Sequence, residues 1–143
     1  MKTSFVPSLL FLCCGKQSNH PKQVLSLDRE RSMLQQTVDR LLPLAASKNI
    51  WVLTNEWLLP TVVAQLPDVS SAQILAEPVS RNTAPAAALA AFLLERQAPQ
   101  AVLGLFPADH TIRDAMSFEQ VMRSGCRSCG GVGRVRFSGP ERL

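Results

Sequence analysis

Three short apolar runs, residues 50–54 (IWVLT), 73–76 (QILA) and 101–106 (AVLGLF), constrain this chain more than any other feature. Each is apolar without strict alternation and short, the pattern of a strand buried on both faces. Helical segments lie between and on either side of them. Residues 31–42 (RSMLQQTVDRLL) put Met33, Leu34, Val38, Leu41 and Leu42 on one helical face, and Pro43 stops the helix. Residues 55–66 read as a helix disturbed at Pro60, and residues 83–96 as an alanine- and leucine-rich helix. Ser117 reads as the N-cap of a helix over 117–123. A first buried strand is expected at 8–13. Continuous apolar strands alternating with helices predict an α/β fold: a Rossmann-like, mainly parallel sheet with helices on both faces.

A chain of 143 residues suits one such domain. Its formal charge of +4 is local. From Ser124 onward, Arg127, Arg134, Arg136 and Arg142 stand against Glu141, a local +3, so the remainder carries 4 − 3 = +1. With aromatic residues at 6% and no tyrosine, a basic face interleaved with aromatics is not visible, and nucleic acid is not an expected partner. The cysteines fall in two pairs, Cys13–Cys14 and Cys126/Cys129, which resemble no secreted disulfide framework and point to a reducing, cytoplasmic setting. Cys126-x-x-Cys129 has metal-ligand spacing, but a closed zinc site needs four ligands and a second such pair is missing. The N-terminal run after Lys2 has the texture of a signal peptide. It contains Pro7, lacks a clear small-x-small cleavage site and is too short to span a bilayer, so a buried strand is the preferred reading and no membrane is expected.

Ligands of parallel α/β sheets bind at the carboxyl ends of the strands. That address collects Thr54 and Asn55, then Glu77 with Arg81, Asn82 and Thr83, then Pro107, Ala108, Asp109 and His110. Asn82 or Thr83 can cap the long helix, and Pro85 suits its first turn, where no N–H is needed. The free N–H groups of such a terminus also suit an anion or a polar base edge, and Arg81 could grip a phosphate or carboxylate. Plain capping, the preferred reading on helix logic alone, explains the same residues. Asp109 follows a buried strand directly, where it could hold magnesium or simply close a turn. Lys22, in a proline-led turn, could neutralise phosphate or be merely exposed.

Taken in order and spacing, HPKQVLSLDRERSMLQQTVDRL, IWVLTNE, QLPDVSSAQILAEPVSRNTAPAAALAA and LFPADHTIRDAMSFEQVM resemble the mannose-1-phosphate guanylyltransferases of the sugar nucleotidyltransferase superfamily over roughly residues 20–124. The resemblance implies transfer of GMP from GTP to mannose 1-phosphate, giving GDP-mannose and pyrophosphate, with Mg2+ as cofactor. It implies that Asp109 holds the metal and that Lys22 contacts phosphate. Asn82, Thr83 and Pro85 would line the guanine pocket, supported by Glu77 and Arg81. A homo-oligomer is compatible with it. The chain departs from the pattern at both ends. Where such enzymes carry a glycine-rich loop of the form GG-x-G-T-R-L-W-P-L-S, this sequence has SLLFLCCGKQSN, and beyond Gly125 it turns glycine- and arginine-rich. Three regions are therefore expected: an atypical segment 1–19, a partial nucleotidyltransferase domain 20–124 and an irregular tail 125–143. The alternative function is a catalytically inactive fragment that keeps at most weak nucleotide binding.

Overall fold

The structure, a computed structural model, describes residues 7–12, 26–28, 30–77, 83–97 and 102–128. The elements run β1 (Pro7–Leu12), β2 (Ser26–Asp28), β3 (Arg31–Ser32), α1 (Met33–Leu41), β4 (Ile50–Asn55), α2 (Leu59–Gln65), β5 (Ile74–Glu77), α3 (Thr83–Gln97), β6 (Val102–Pro107) and α4 (Ala115–Ser128). Four strands form one sheet in the order β5-β4-β1-β6, and every pairing in it is parallel. Numbered by appearance within this sheet, the strands read 3-2-1-4, the opening of the doubly wound order. The expected fold class is thus observed. β2 and β3 make a separate small antiparallel ribbon. Strand β1, which belongs to the segment expected to be atypical, lies between β4 and β6 inside the sheet.

The two faces of the sheet follow from the period-2 alternation of side chains along a strand. Ile50 and Val52 of β4, Ile74 of β5 and Phe106 of β6 point to one face. They meet Leu34, Val38 and Leu41 of α1 and Val62 of α2, with Phe118 and Met122 of α4 closing the layer. Trp51 and Leu53, Leu75, Leu103 and Leu105 point to the other face, where α3 lays Ala90 against them. Buried Ala87 and Ala90 are three residues apart, so the backbone of α3 approaches the sheet closely, while Leu89 and Phe92 on its outer side stay exposed.

Local signals explain the helix ends. Ser32 caps α1 through a complete capping box: Gln35 N–H donates to Ser32 Oγ at 3.2 Å, and Ser32 N–H donates to Gln35 Oε1 at 3.0 Å. Pro60 does not disturb α2; it occupies the first turn, where its missing N–H costs nothing. Nor is Ser117 the N-cap of α4. The helix begins two residues earlier, and Asp114 caps it, its carboxylate accepting Ser117 N–H at 2.9 Å and Ser117 Oγ–H at 2.6 Å. Those two bonds favour the charged carboxylate and hold the Asp114 pKa below the ordinary aspartate value. Helix α4 also runs through Gly125 to Ser128, so the expected boundary after residue 124 is not a structural break. A Cβ at Gly125 would meet nothing within 4 Å, so no close approach requires a glycine at this exposed position.

Candidate functional site

The strand registers fix what meets at the carboxyl edge. Leu12 pairs with Leu53 on one side and with Pro107 on the other, so β6 ends level with Leu53, two residues short of the end of β4. Asn55 pairs with Glu77, which brings the end of β5 level with that of β4. The edge therefore carries Asn55, Glu77 and, in the turn after β6, Asp109 and His110. β5 and β6 are three strand spacings apart, roughly 14 Å. The chain leaves β1 towards β4 and later crosses to β6 on the opposite side, so the topological switch point lies between β1 and β6, and Asp109 stands at its rim.

The individual groups differ in what they are free to do. Asp109 and His110 are about half exposed, at 47% and 46% of their side-chain surface, and Asp109 Oδ1 lies 3.8 Å from His110 Nε2. That separation exceeds a hydrogen bond and leaves the carboxylate open to other partners. Asn55 is partly committed: its Oδ1 accepts Leu58 N–H at 2.8 Å and fixes the turn into α2. Thr54 does not present itself at the crevice. It is 3% exposed, and its Oγ1 lies buried, without a hydrogen-bond partner among the described residues, on the side of the sheet that faces α1 and α2. Glu77 is only partly covered, but desolvation pushes its carboxyl pKa above the ordinary glutamate value.

Of the residues expected at the site from sequence, Glu77 and Asp109 are brought to one edge. Thr83 and Pro85 form the first turn of α3, six and eight residues after the last residue of β5. Lys22, Arg81, Asn82 and the Cys13–Cys14 pair lie outside the described residues, as does Cys129. One contributor was not anticipated. Arg40, near the end of α1, donates from Nη2 to the His110 carbonyl at 3.4 Å, and its guanidinium carbon sits 5.6 Å from the centre of the Phe118 ring. The signal for it is faint: Arg40 lies three residues after buried Thr37, so its stem runs along the buried stripe of α1, a place long basic side chains occupy as readily as apolar ones.

Among the described residues, no three His, Cys, Asp or Glu side chains gather closely enough to enclose a metal. That donor set does not suit a closed structural zinc site. It does suit magnesium, which commonly takes one or two carboxylates and completes its shell with water and phosphate oxygens. Among the described residues, no helix is long and apolar enough to cross a membrane.

The sequence profile of the family described as nucleotidyl transferase matches residues 17–128. The chain is 41% identical over 108 residues to the mannose-1-phosphate guanylyltransferase RfbM of Salmonella typhimurium, covering 73% of this chain and 22% of that protein. It is 46% identical over 101 residues to the mannose-1-phosphate guanylyltransferase of Salmonella montevideo, covering 69% and 21%. It is 34% identical over 107 residues to the alginate biosynthesis protein AlgA of Pseudomonas aeruginosa, covering 74% and 22%. The chain thus spans about a fifth of the length of these curated relatives. Among solved structures, a mannose-6-phosphate isomerase from Helicobacter pylori superposes with a TM-score of 0.65 at 24% identity, over 81% of this chain and 43% of that one. At that identity the likeness speaks for the fold alone.

Proposed function

The chain belongs to the nucleotidyl transferase family, and on that premise we propose that it takes part in transferring GMP from GTP to mannose 1-phosphate, releasing pyrophosphate and forming GDP-mannose, in the cytoplasm. The observation that carries this reading is the sheet order, whose switch point has the open Asp109 carboxylate at its rim and Glu77 along the same edge. The span between them suits an elongated ligand with a base at one end and phosphates at the other.

In this reading a sugar-phosphate oxygen attacks the α-phosphorus in line, forming the new O–P bond as the bond to the β-phosphate oxygen breaks and pyrophosphate leaves. Positioning and charge neutralisation do most of the work in such transfers. Asp109 would hold Mg2+, which when bound supplies positive charge to the phosphates. Lys22 would contact phosphate. Thr83 and Pro85, at the start of α3, would line the base pocket together with Asn82, with Arg81 and Glu77 supporting it. Glu77 is a carboxylate at partial burial, and a carboxylate there can accept paired N–H donors from a guanine edge.

The test is direct. Purified protein with GTP, mannose 1-phosphate and Mg2+ should release pyrophosphate and yield GDP-mannose, and no release sinks transfer by this chain. A second reading, nucleotide binding without transfer, is favoured by SLLFLCCGKQSN standing where such enzymes carry a glycine-rich phosphate loop. It predicts a thermal melt raised by GTP or GDP-mannose with no product formed.

A further inference from the structure

Asp109 is held from both sides although its own carboxylate is half exposed. Before it, Ala108 is buried at 1% exposure and tied into the apolar layer beneath the sheet. After it, the His110 carbonyl accepts Arg40 Nη2–H at 3.4 Å. Arg40 is in turn seated on Phe118 at 5.6 Å, and Phe118 meets Phe106 of β6 edge to face, with ring centres 6.0 Å apart at 68°. Three elements thus converge on one turn: α1 supplies the guanidinium, α4 the ring beneath it, and β6 the strand from which the turn springs. Arg40 makes no ion pair among the described residues, and neighbouring Asp39 is engaged by Arg31 at 2.7 Å. Its guanidinium is partly desolvated, which lowers its pKa, but it stays charged under all ordinary conditions. A planar guanidinium can lie over a ring while its edge N–H groups reach sideways to a carbonyl, a geometry a lysine ammonium does not reproduce.

We infer that Arg40 is a positioning residue: through the His110 carbonyl and the Phe118 ring it fixes the turn that aims the Asp109 carboxylate at the mouth of the crevice. The inference rests on the metal role proposed above for Asp109. It assigns to Arg40 no contact with nucleotide, metal or sugar.

The experiment compares Arg40→Met, Arg40→Lys and Phe118→Leu with the wild type, and uses Arg31→Met, which removes an exposed arginine of β3 and its Asp39 ion pair, as a control. GTP affinity of the full chain is measured by calorimetry with Mg2+ and again with EDTA. Amide hydrogen exchange across residues 107–112 and the thermal melt are recorded alongside. Arg40→Met is expected to lose roughly tenfold in affinity with Mg2+, about 1.4 kcal/mol of binding free energy, while the affinity in EDTA stays within about twofold. Exchange across the turn should quicken, Arg40→Lys should recover part of the loss, Phe118→Leu should shift the same way by less, and Arg31→Met should match the wild type. If Arg40→Met does not fold, Arg40→Lys and Phe118→Leu carry the comparison. A Mg2+-dependent gain that is unchanged in these variants overturns the inference and leaves the proposed function standing. So does an equal loss with and without Mg2+ that tracks a fallen melting temperature. A wild type that binds no GTP under either condition removes the proposed function, and the inference with it.

Discussion

Asp109 and Glu77 stand on the same edge but in different electrostatic surroundings, and substitutions at the two should separate accordingly. Asp109→Asn keeps the shape and removes the charge, so it should abolish the Mg2+-dependent part of GTP affinity while leaving the thermal melt nearly unchanged, because the side chain is half exposed. Calorimetry with and without Mg2+ checks this. Glu77 is an acid whose folded pKa is raised by desolvation. Folding therefore favours its protonated form: the cost is absent at pH values below the ordinary glutamate range and fully present above the raised pKa. Glu77→Gln, a permanently neutral mimic, should melt higher than the wild type near neutral pH, with the gap closing as the pH falls through the glutamate range. The same variant should bind GTP more weakly, so stability and binding should move in opposite directions. Melts recorded across that range, with equal values for both proteins at neutral pH, would contradict the account of Glu77. Asp109 was legible from its place after an apolar strand. Arg40 was not, because a helical arginine half-buried on a phenylalanine reads in sequence as one more solvated charge.

The elements owe their ends to a few polar groups, and those ends position the crevice. Ser32 is the clearest case: it caps α1, and its hydroxyl also donates to Gln65 Oε1 at 2.7 Å, joining the start of α1 to the end of α2. Gln35 Nε2–H adds a bond to the Gln65 carbonyl at 3.0 Å. Ser32→Ala should cost about 1–2 kcal/mol in chemical denaturation, the loss of a cap together with a buried hydrogen bond. A change within experimental scatter would mean the capping box is not limiting. Strand and helix identities were readable because the apolar runs are short and the helical stripes regular. Helix starts were less so. Asp114 and Ser117 are both good capping residues three positions apart, and local chemistry alone does not choose between them. Pro60 misled in a similar way, since proline breaks a helix interior but fits its first turn.

At the scale of the whole molecule, the strand order does what no single motif can. It takes residues as far apart in sequence as Asn55, Glu77 and Asp109 and lines them along one edge, through pairings to β1 and β4. The parallel character of the sheet was legible from the alternation of apolar strands and helices. The central place of β1 was not, because its sequence lacks the glycine-rich loop that would have flagged it. A small cavity lies elsewhere, between α1 and the end of α2, lined by Arg31, Gln35, Ser47, Gln65 and Asp68. The most direct test is a heteronuclear NMR titration of the isotope-labelled chain with GTP and Mg2+. Amide shifts are expected to concentrate at Asn55–Trp57, Glu77 and Ala108–His110. Shifts concentrated instead at Ser47 and Gln65–Val69, or no shifts at all, would contradict this expectation.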